Sequence, residues 1–318
     1  MEPPELIKAY STGEWINNWI KRRAELTPEW TALIDDATGR DRRFTYRSFN
    51  ERIDRVAGFF KDKLRISKGD IVAMLSWTRV EVLEVLFAVS KLGGIFLPLN
   101  TRYTDVELAG LLNEVRPKIL IYEAEFESKV SLMKRRVVID HYISIGSSSD
   151  DALRYESLVG HYRALDKPVM VSLEDPLMII QTGGTTGKPK AGVVTYRQIF
   201  WNALNTLRDL IVPGDITITA LPLFHIGGYT YVIPLLMFGG TNILMHRWNV
   251  EKFIGSVIKE KPEETELHVV DKWVLSLYSK VVKKVTEYMN NFEYSSAMKE
   301  AEYFLWHEFA DHYMEMVK

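Results

Sequence analysis

The sequence predicts an α/β domain with parallel sheets and flanking helices over residues 1–262, and an α-helical hairpin over residues 263–318. Three observations carry this. Between residues 40 and 262, short apolar β-branched runs alternate with segments whose apolar residues recur every three or four positions. From Ile216 to Met245 there is no Asp, Glu, Lys or Arg. After Pro262 the chain holds no Gly, Pro or Arg, and it carries six Lys against eleven acidic residues, a net charge of −5. The composition fits a folded protein: 318 residues, 47% hydrophobic and 26% charged, enough apolar material for a sizeable core. A formal charge of −2 provides no global field for a nucleic acid or an anionic membrane. The absence of Cys removes disulfides, thiolate zinc sites and Cys nucleophiles, and fits a reducing compartment. The N-terminal MEPPELIKAYSTGEWINNW lacks the basic start and apolar run of a signal peptide, so a cytoplasmic protein is expected.

The elements follow in order. In FTYRSFNERIDRVAGFF, Tyr46, Phe49, Ile53, Val56 and Phe60 fall on one helical face. Gly69-Asp70 opens IVAMLS as a buried strand, and VEVLEVLFAVSKLGG follows as a helix with a Gly stop. IFLPLN is a strand, DVELAGLLNEV a helix and PKILIY a strand. Residues 123–174 are less regular, and Ser147-Ser148-Ser149-Asp150-Asp151 marks a surface loop. PLMIIQ, ITITAL and TNILM are further strands, with VTYRQIFWNALNTL a helix. Alternation of this kind implies parallel βαβ units. The uncharged stretch 216–245 is long enough to cross a bilayer, but Pro222, Pro234, His225 and two Gly-Gly pairs give it the texture of a buried strand, helix and strand, so no membrane span is expected. In the tail, Trp273, Leu277, Val281, Val285 and Tyr288 form one stripe, and Ala297, Ala301, Phe304, Leu305 and Phe309 a second, with Asn290-Asn291 between them.

The chemistry concentrates in IIQTGGTTGKPKAGVVTYRQI. A strand ends at Gln181, and Thr182, Gly183, Gly184, Thr185, Thr186, Gly187, Lys188, Pro189 and Lys190 follow. Glycines let a backbone approach an anion and aim its N–H groups at it, threonine hydroxyls donate to phosphate oxygens, and lysines supply charge. The string is not a Walker A loop, because Thr182 stands where its first Gly belongs and Pro189 follows Lys188. The plain alternative is a polar turn between two strands.

The ordered run TGGTTGKPKA resembles the signature of the adenylate-forming superfamily, which includes acid–CoA ligases, luciferases and peptide-synthetase adenylation domains. Ala191 replaces the signature's last Gly. RRFTYRSFNERIDRVAGFF, KLGGIFLPLNTRYTDVELAGLL and LPLFHIGGYTYVIPLLMFGG agree with further family segments in order and spacing, over about Trp15 to Pro262. The resemblance implies that a carboxylic acid and ATP form an acyl-adenylate, that a thiol such as CoA then attacks, and that Mg²⁺ takes part. It implies that Thr182 to Lys190 hold the β- and γ-phosphates and that His225 borders the acyl and thioester-forming pocket. The family's later motifs, which carry the metal-binding acid, the ribose-binding Asp and the catalytic Lys, have no counterpart after Pro262. The expectation is therefore a partial adenylate-forming domain, truncated at 262, that binds ATP or AMP at most and does not adenylate alone. A complementing chain, or self-association, is the route by which an active acid–CoA ligase would be restored.

The tail VVDKWVLSLYSKVVKKVTEYMNNFEYSSAMKEAEYFLWHEFADHYMEMVK resembles the start of the anticodon-binding helical domain of class I valyl-, leucyl- and isoleucyl-tRNA synthetases. Asp271-Lys272-Trp273, Phe292 to Ala297 and Phe304 to Tyr313 carry the likeness. A tRNA-binding module is the function this would imply, but the net charge of −5 argues against tRNA as a partner. His307-Glu308 with His312 has five-residue spacing between its imidazoles, which places them off one helical face and argues against a metal site. The joining of two family fragments also suggests a gene-fusion remnant.

Overall fold

The computed structural model describes residues 16–39, 41–146, 152–182, 190–207, 213–260 and 269–316. The chain divides into two compact units, Met1–Ile258 and Lys259–Lys318. The Ser147–Asp151 stretch lies outside the described residues.

In the first unit, helix α1 (Trp19–Leu26) leads into strands β1 (Thr31–Asp35) and β2 (Arg42–Thr45). Helix α2 (Tyr46–Asp62) starts where the Thr45 side chain accepts a hydrogen bond from the Ser48 N–H at 3.2 Å. Its five stripe residues, Tyr46, Phe49, Ile53, Val56 and Phe60, are all buried, as the spacing predicts. Strand β3 (Ile71–Leu75), helix α3 (Val80–Lys91), strand β4 (Ile95–Pro98), helix α4 (Asp105–Val115) and strand β5 (Ile119–Glu123) follow the sequence reading. A reciprocal cap opens α4: Thr104 accepts from the Glu107 N–H at 3.3 Å while the Glu107 carboxylate accepts from the Thr104 N–H at 2.8 Å.

The less regular stretch contains helix α5 (Glu127–Lys134), strands β6 (His141–Ile145) and β7 (Leu153–Arg154), and helix α6 (Tyr155–His161). Then come β8 (Pro176–Thr182), β9 (Lys190–Thr195), helix α7 (Tyr196–Leu207), β10 (Ile216–Thr219), helix α8 (Ile226–Phe238), β11 (Thr241–Leu244) and helix α9 (Val250–Lys259). The uncharged stretch is thus β10, α8 and β11, with Tyr229, Val232, Ile233 and Leu236 buried on α8. Among the described residues no helix is long and apolar enough to cross a membrane.

Two sheets result. One has the order β10-β11-β1-β2, the other β7-β6-β5-β3-β4-β8-β9. Neighbours run parallel except for β2 against β1 and β9 against β8. Both exceptions join strands by a short connection, which suffices for an antiparallel pair but not for a parallel crossover. Tyr46 ties α2 to the four-stranded sheet's helix: its hydroxyl lies 3.1 Å from the Leu236 carbonyl and 2.7 Å from that of Gly240. Gly239 ends α8 with φ 92°, the left-handed conformation glycine adopts without strain.

The second unit contains helix α10 (Val269–Asn290), helix α11 (Tyr294–Tyr303), a π-helical segment Phe304–Tyr313 and a last turn α12 (Met314–Met316). The stripe Trp273, Leu277, Val281, Val285 and Tyr288 is half-buried on the inner side of this pairing. The second stripe is met only in part: Ala297 is buried and Phe304 half-buried, but Ala301, Leu305 and Phe309 are exposed. The reason lies partly in winding. A π-helix takes more residues per turn than the α-helix assumed in the spacing, so positions beyond Phe304 rotate away from the expected face. Lys284 pairs with Glu300 at 2.9 Å, and the Tyr313 hydroxyl donates to Asp271 at 2.8 Å, closing the hairpin.

Candidate active-site edge

Strands β3, β4, β5, β6 and β8 run in one direction, so their carboxyl ends share one edge of the seven-stranded sheet. Connections leaving such an edge are where open α/β sheets collect ligands. The segment from Thr182 to Lys190 leaves from it. Its two ends are opposed in the β8–β9 ladder, with Thr182↔Lys190 and Gln181↔Ala191 in register. The segment is therefore the loop of an antiparallel hairpin. Gly183, Gly184, Thr185, Thr186, Gly187 and Lys188 lie outside the described residues, as do the side chains of Thr182 and Lys190.

The hairpin's base is held by Gln181, which sequence reading treated only as the end of a strand. Its side-chain N–H donates to the Pro98 carbonyl at 2.6 Å, and its carbonyl accepts from the Asn100 N–H at 2.9 Å. The adjoining arm after β4 is anchored from α5 as well: Lys129 donates to the carbonyls of Thr101 at 2.9 Å and Tyr103 at 2.7 Å. The Thr101 hydroxyl in this arm is buried and has no hydrogen-bond partner among the described residues.

His225 stands after β10, at the edge of the other sheet. It caps α8, its Nδ1 accepting the Gly227 N–H at 3.0 Å, which leaves a ring proton for Nε2. The imidazole is exposed, and beside it an open recess is lined by Thr219, Leu221, Gly227, Gly228 and Tyr231. Gly228 is required by space, since a Cβ there would come within 2.8 Å of the Pro222 carbonyl oxygen. The recess offers apolar walls with the Thr219 hydroxyl and the Tyr231 phenol among them.

Sequence reasoning missed a buried ionic chain between the two sheets. Arg42 reaches Asp35 at 2.5 Å and Glu81 at 3.0 Å; Arg79 reaches Glu81 at 2.6 Å and Glu123 at 3.0 Å; His246 meets Glu123 at 2.9 Å. Burial alone would raise the Glu81 carboxyl, but the guanidinium groups of Arg79 and Arg42 overcome it and hold it at about 2. At Glu123 burial again opposes ionisation, and His246 and Arg79 prevail, lowering its pKa. One turn along α3, burial dominates and pushes Glu84 up to about 7 despite Arg52. The signal was present: two acids inside the apolar run VEVLEVLFAV have to be paired when that helix is buried on every side. All of these groups have protein partners, so the chain of charges is a structural tie rather than a reactive centre.

ATP and Mg²⁺ fare differently as ligands. Threonine, glycine and lysine on a hairpin loop supply donors and charge suited to phosphate. For a metal, no group of three or more His, Asp or Glu with the arrangement of a site exists among the described residues, so no ligand is assigned to Mg²⁺.

Comparison with known proteins follows the same division. The AMP-binding enzyme family matches residues 20–265, and the anticodon-binding domain of tRNA ligase matches residues 271–318. An indoleacetate–CoA ligase of Aromatoleum aromaticum is 29% identical over 250 residues, 77% of this chain and 48% of that protein. A crotonobetaine/carnitine–CoA ligase of Salmonella paratyphi A is 29% identical over 76% of this chain and 48% of its own length. The chain spans about half the length of the curated relatives it matches. Among solved structures, the inhibitor-bound N-terminal domain of FACL13 from Mycobacterium tuberculosis superposes with a TM-score of 0.70 at 27% identity, over 77% of this chain and 60% of that one. The o-succinylbenzoate–CoA synthetase of Bacillus subtilis, solved with ATP and a magnesium ion, gives 0.64 at 26% identity, over 76% of this chain and 60% of that one. With the fold and a match over most of the sequence in agreement, this chain belongs to the AMP-binding enzyme family, as an adenylate-forming, acid–CoA ligase-like N-terminal domain.

Proposed function

We propose that this chain binds the phosphates of ATP or AMP through Thr182–Lys190 and that, alone, it does not carry adenylation of an acid to completion. The observation that carries the reading is the β8–β9 hairpin, which presents the Thr-Gly-Lys loop at the carboxyl edge of the large sheet with Thr182 and Lys190 opposed at its base. Thr185 and Thr186 would donate to phosphate oxygens, Lys188 and Lys190 would neutralise charge, and His225 with its recess would face a carboxylic acid and CoA. Residues 1–262 form the nucleotide-handling domain in this reading, and residues 263–318 a separate helical hairpin. The second half of the reading is supported by the change of match along the chain: the AMP-binding match runs to residue 265, and residues 271–318 match an anticodon-binding family.

Equilibrium binding of labelled ATP tests the first half. The Thr185→Ala, Lys190→Ala double variant should bind at least tenfold more weakly, about 1.4 kcal/mol; binding equal to the parent protein refutes the loop assignment. ATP–pyrophosphate exchange with a panel of aromatic and aliphatic acids tests the second half, and exchange by the pure chain refutes it.

One observation favours a second reading, in which another chain completes the ligase. Helix α9 has no buried residue and exposes Val250, Ile254, Val257 and Ile258. An apolar face of this kind marks a contact surface. Exchange activity that appears only on adding a cell extract would favour that reading.

A further inference from the structure

We propose that the outer face of the second unit is an interface for a second copy of this chain. Two hairpins pack as a four-helix bundle, in which helix α10 of each copy lies against the return arm 294–316 of the other.

The hairpin leaves much of its apolar surface unused. Among the described residues of this unit only Val274 and Ala297 are buried. Too little apolar area leaves water to offset the ordering of two helices. Helix α10 exposes Leu275, Tyr278, Val282 and Met289, at spacings of three, four and seven. The return arm exposes Tyr294, Met298, Ala301, Leu305 and Phe309 in a similar rhythm. With 3.6 residues per turn, each exposed stripe lies about 90° round its helix from the stripe that meets the hairpin partner. That inner stripe is centred on Val274, Leu277 and Val281 in α10, and on Ala297 and Phe304 in the arm. The displacement has the same sense on both helices. Because the helices are antiparallel, both exposed stripes come to one side of the hairpin. Two apolar stripes about 90° apart are what a square bundle of four demands, since each helix there touches two neighbours.

Register and charge identify the occupant as a copy. The Lys284–Glu300 pair and the Tyr313–Asp271 hydrogen bond fix which residues of the two helices stand level. On that register Leu275 is level with Phe309, Tyr278 with Leu305, Val282 with Ala301, and Met289 with Tyr294. A two-fold axis parallel to the helices keeps every residue at its height. Each stripe residue then meets its counterpart in the other copy, and the surface is self-complementary. Helix α10 carries four Lys against Asp271 and Glu287, a net charge of +2. The return arm carries Lys299 against Glu300, Glu302, Glu308, Asp311 and Glu315, a net charge of −4. The same axis sets unlike helices side by side at both junctions and like helices on the diagonals, the arrangement that charge favours.

Sedimentation equilibrium of the full chain reads the association. The parent protein should dimerise reversibly, with a dissociation constant that rises with salt as the unlike charges are screened. Val282→Lys and Ala301→Glu each place a charge on one stripe, at level positions. Both sites are exposed within the hairpin and both new residues favour helix, so the hairpin should be retained, which far-UV circular dichroism checks. Each variant alone should dimerise at least about tenfold more weakly, because its homodimer buries two unpaired charges. Mixed in equal amounts, the two variants should form a heterodimer tighter than either homodimer, since the introduced ammonium of one chain meets the introduced carboxylate of the other. A parent protein that stays monomeric overturns the proposal, and so does a variant that dimerises as tightly as the parent. A mixture no tighter than the separate variants overturns the placing of unlike helices side by side. Should either variant lose helicity when alone, recovery of helicity on mixing decides.

Discussion

Replacing Glu81 by Gln removes one negative charge from between two guanidinium groups. The Glu81 side chain is 1% exposed and bonds both Arg42 and Arg79, at 3.0 and 2.6 Å. Breaking a buried pair by deleting one partner typically costs about 3–5 kcal/mol, because a desolvated charge is left behind. Here each arginine retains a second carboxylate, Asp35 for Arg42 and Glu123 for Arg79, so the lower end applies, about 3 kcal/mol. For a unit of this size that corresponds to a fall in melting temperature of roughly 6–12 °C. Urea titration followed by tryptophan fluorescence measures it. The exposed pair Arg47–Glu29, with side chains 57% and 72% accessible, serves as the control and should be worth under about 1 kcal/mol. The pH dependence adds a second reading. Glu81 is held at about 2 against an ordinary 4.5, so its contribution is present above pH 4.5 and is lost as pH falls towards 2. The gap between the parent protein and Glu81→Gln should therefore close on acidification. A variant within 1 kcal/mol of the parent at pH 7, indistinguishable from the surface control, would show that the inter-sheet charges do not hold this fold together.

Glu84→Gln should show the opposite slope. Burial raises Glu84 from 4.5 to about 7, so the protonated form stabilises the fold below pH 4.5 and that advantage is lost as pH rises through 7, on the order of 3 kcal/mol over the interval. Urea titrations at pH 5 and pH 8 should find the parent losing ground to this variant, and a constant gap refutes the assignment. Tyr46→Phe deletes a hydroxyl placed against the carbonyls of Leu236 and Gly240 and should cost about 1–2 kcal/mol in the same assay without altering ATP binding.

Much of the α/β unit was readable because burial on one face leaves a periodic trace. The stripe from Tyr46 to Phe60 and the strand runs IVAML, IFLP and ILIY fold where their spacing places them. What escaped was interaction between elements. Gln181 reads as an ordinary strand residue until β4 lies beside it, and its two bonds span 83 and 81 positions of sequence. The Arg42, Glu81, Arg79, Glu123, His246 chain joins four segments, which no local window contains. In the hairpin, the assumption of α-helical winding failed beyond Phe304, so Leu305 and Phe309 point elsewhere than expected. The two readings of the Thr182–Lys190 string, a turn between strands and a cradle for phosphate, do not exclude each other, and the ladder fixes only the two ends of the string.

The antiparallel return of β9 has an electrostatic consequence. In nucleotide-binding folds where a glycine-rich loop runs from a strand straight into a helix, the positive end of that helix's dipole helps attract the phosphates. Here the loop re-enters the sheet as a strand, and α7 begins only at Tyr196, after β9 has crossed back to the opposite rim. An anion held there, as proposed, would not sit at the N-terminus of α7. In the proposed reading the full positive charge on the phosphates would then come from Lys188 and Lys190, and that part of the attraction is one that salt screens and acetylation abolishes.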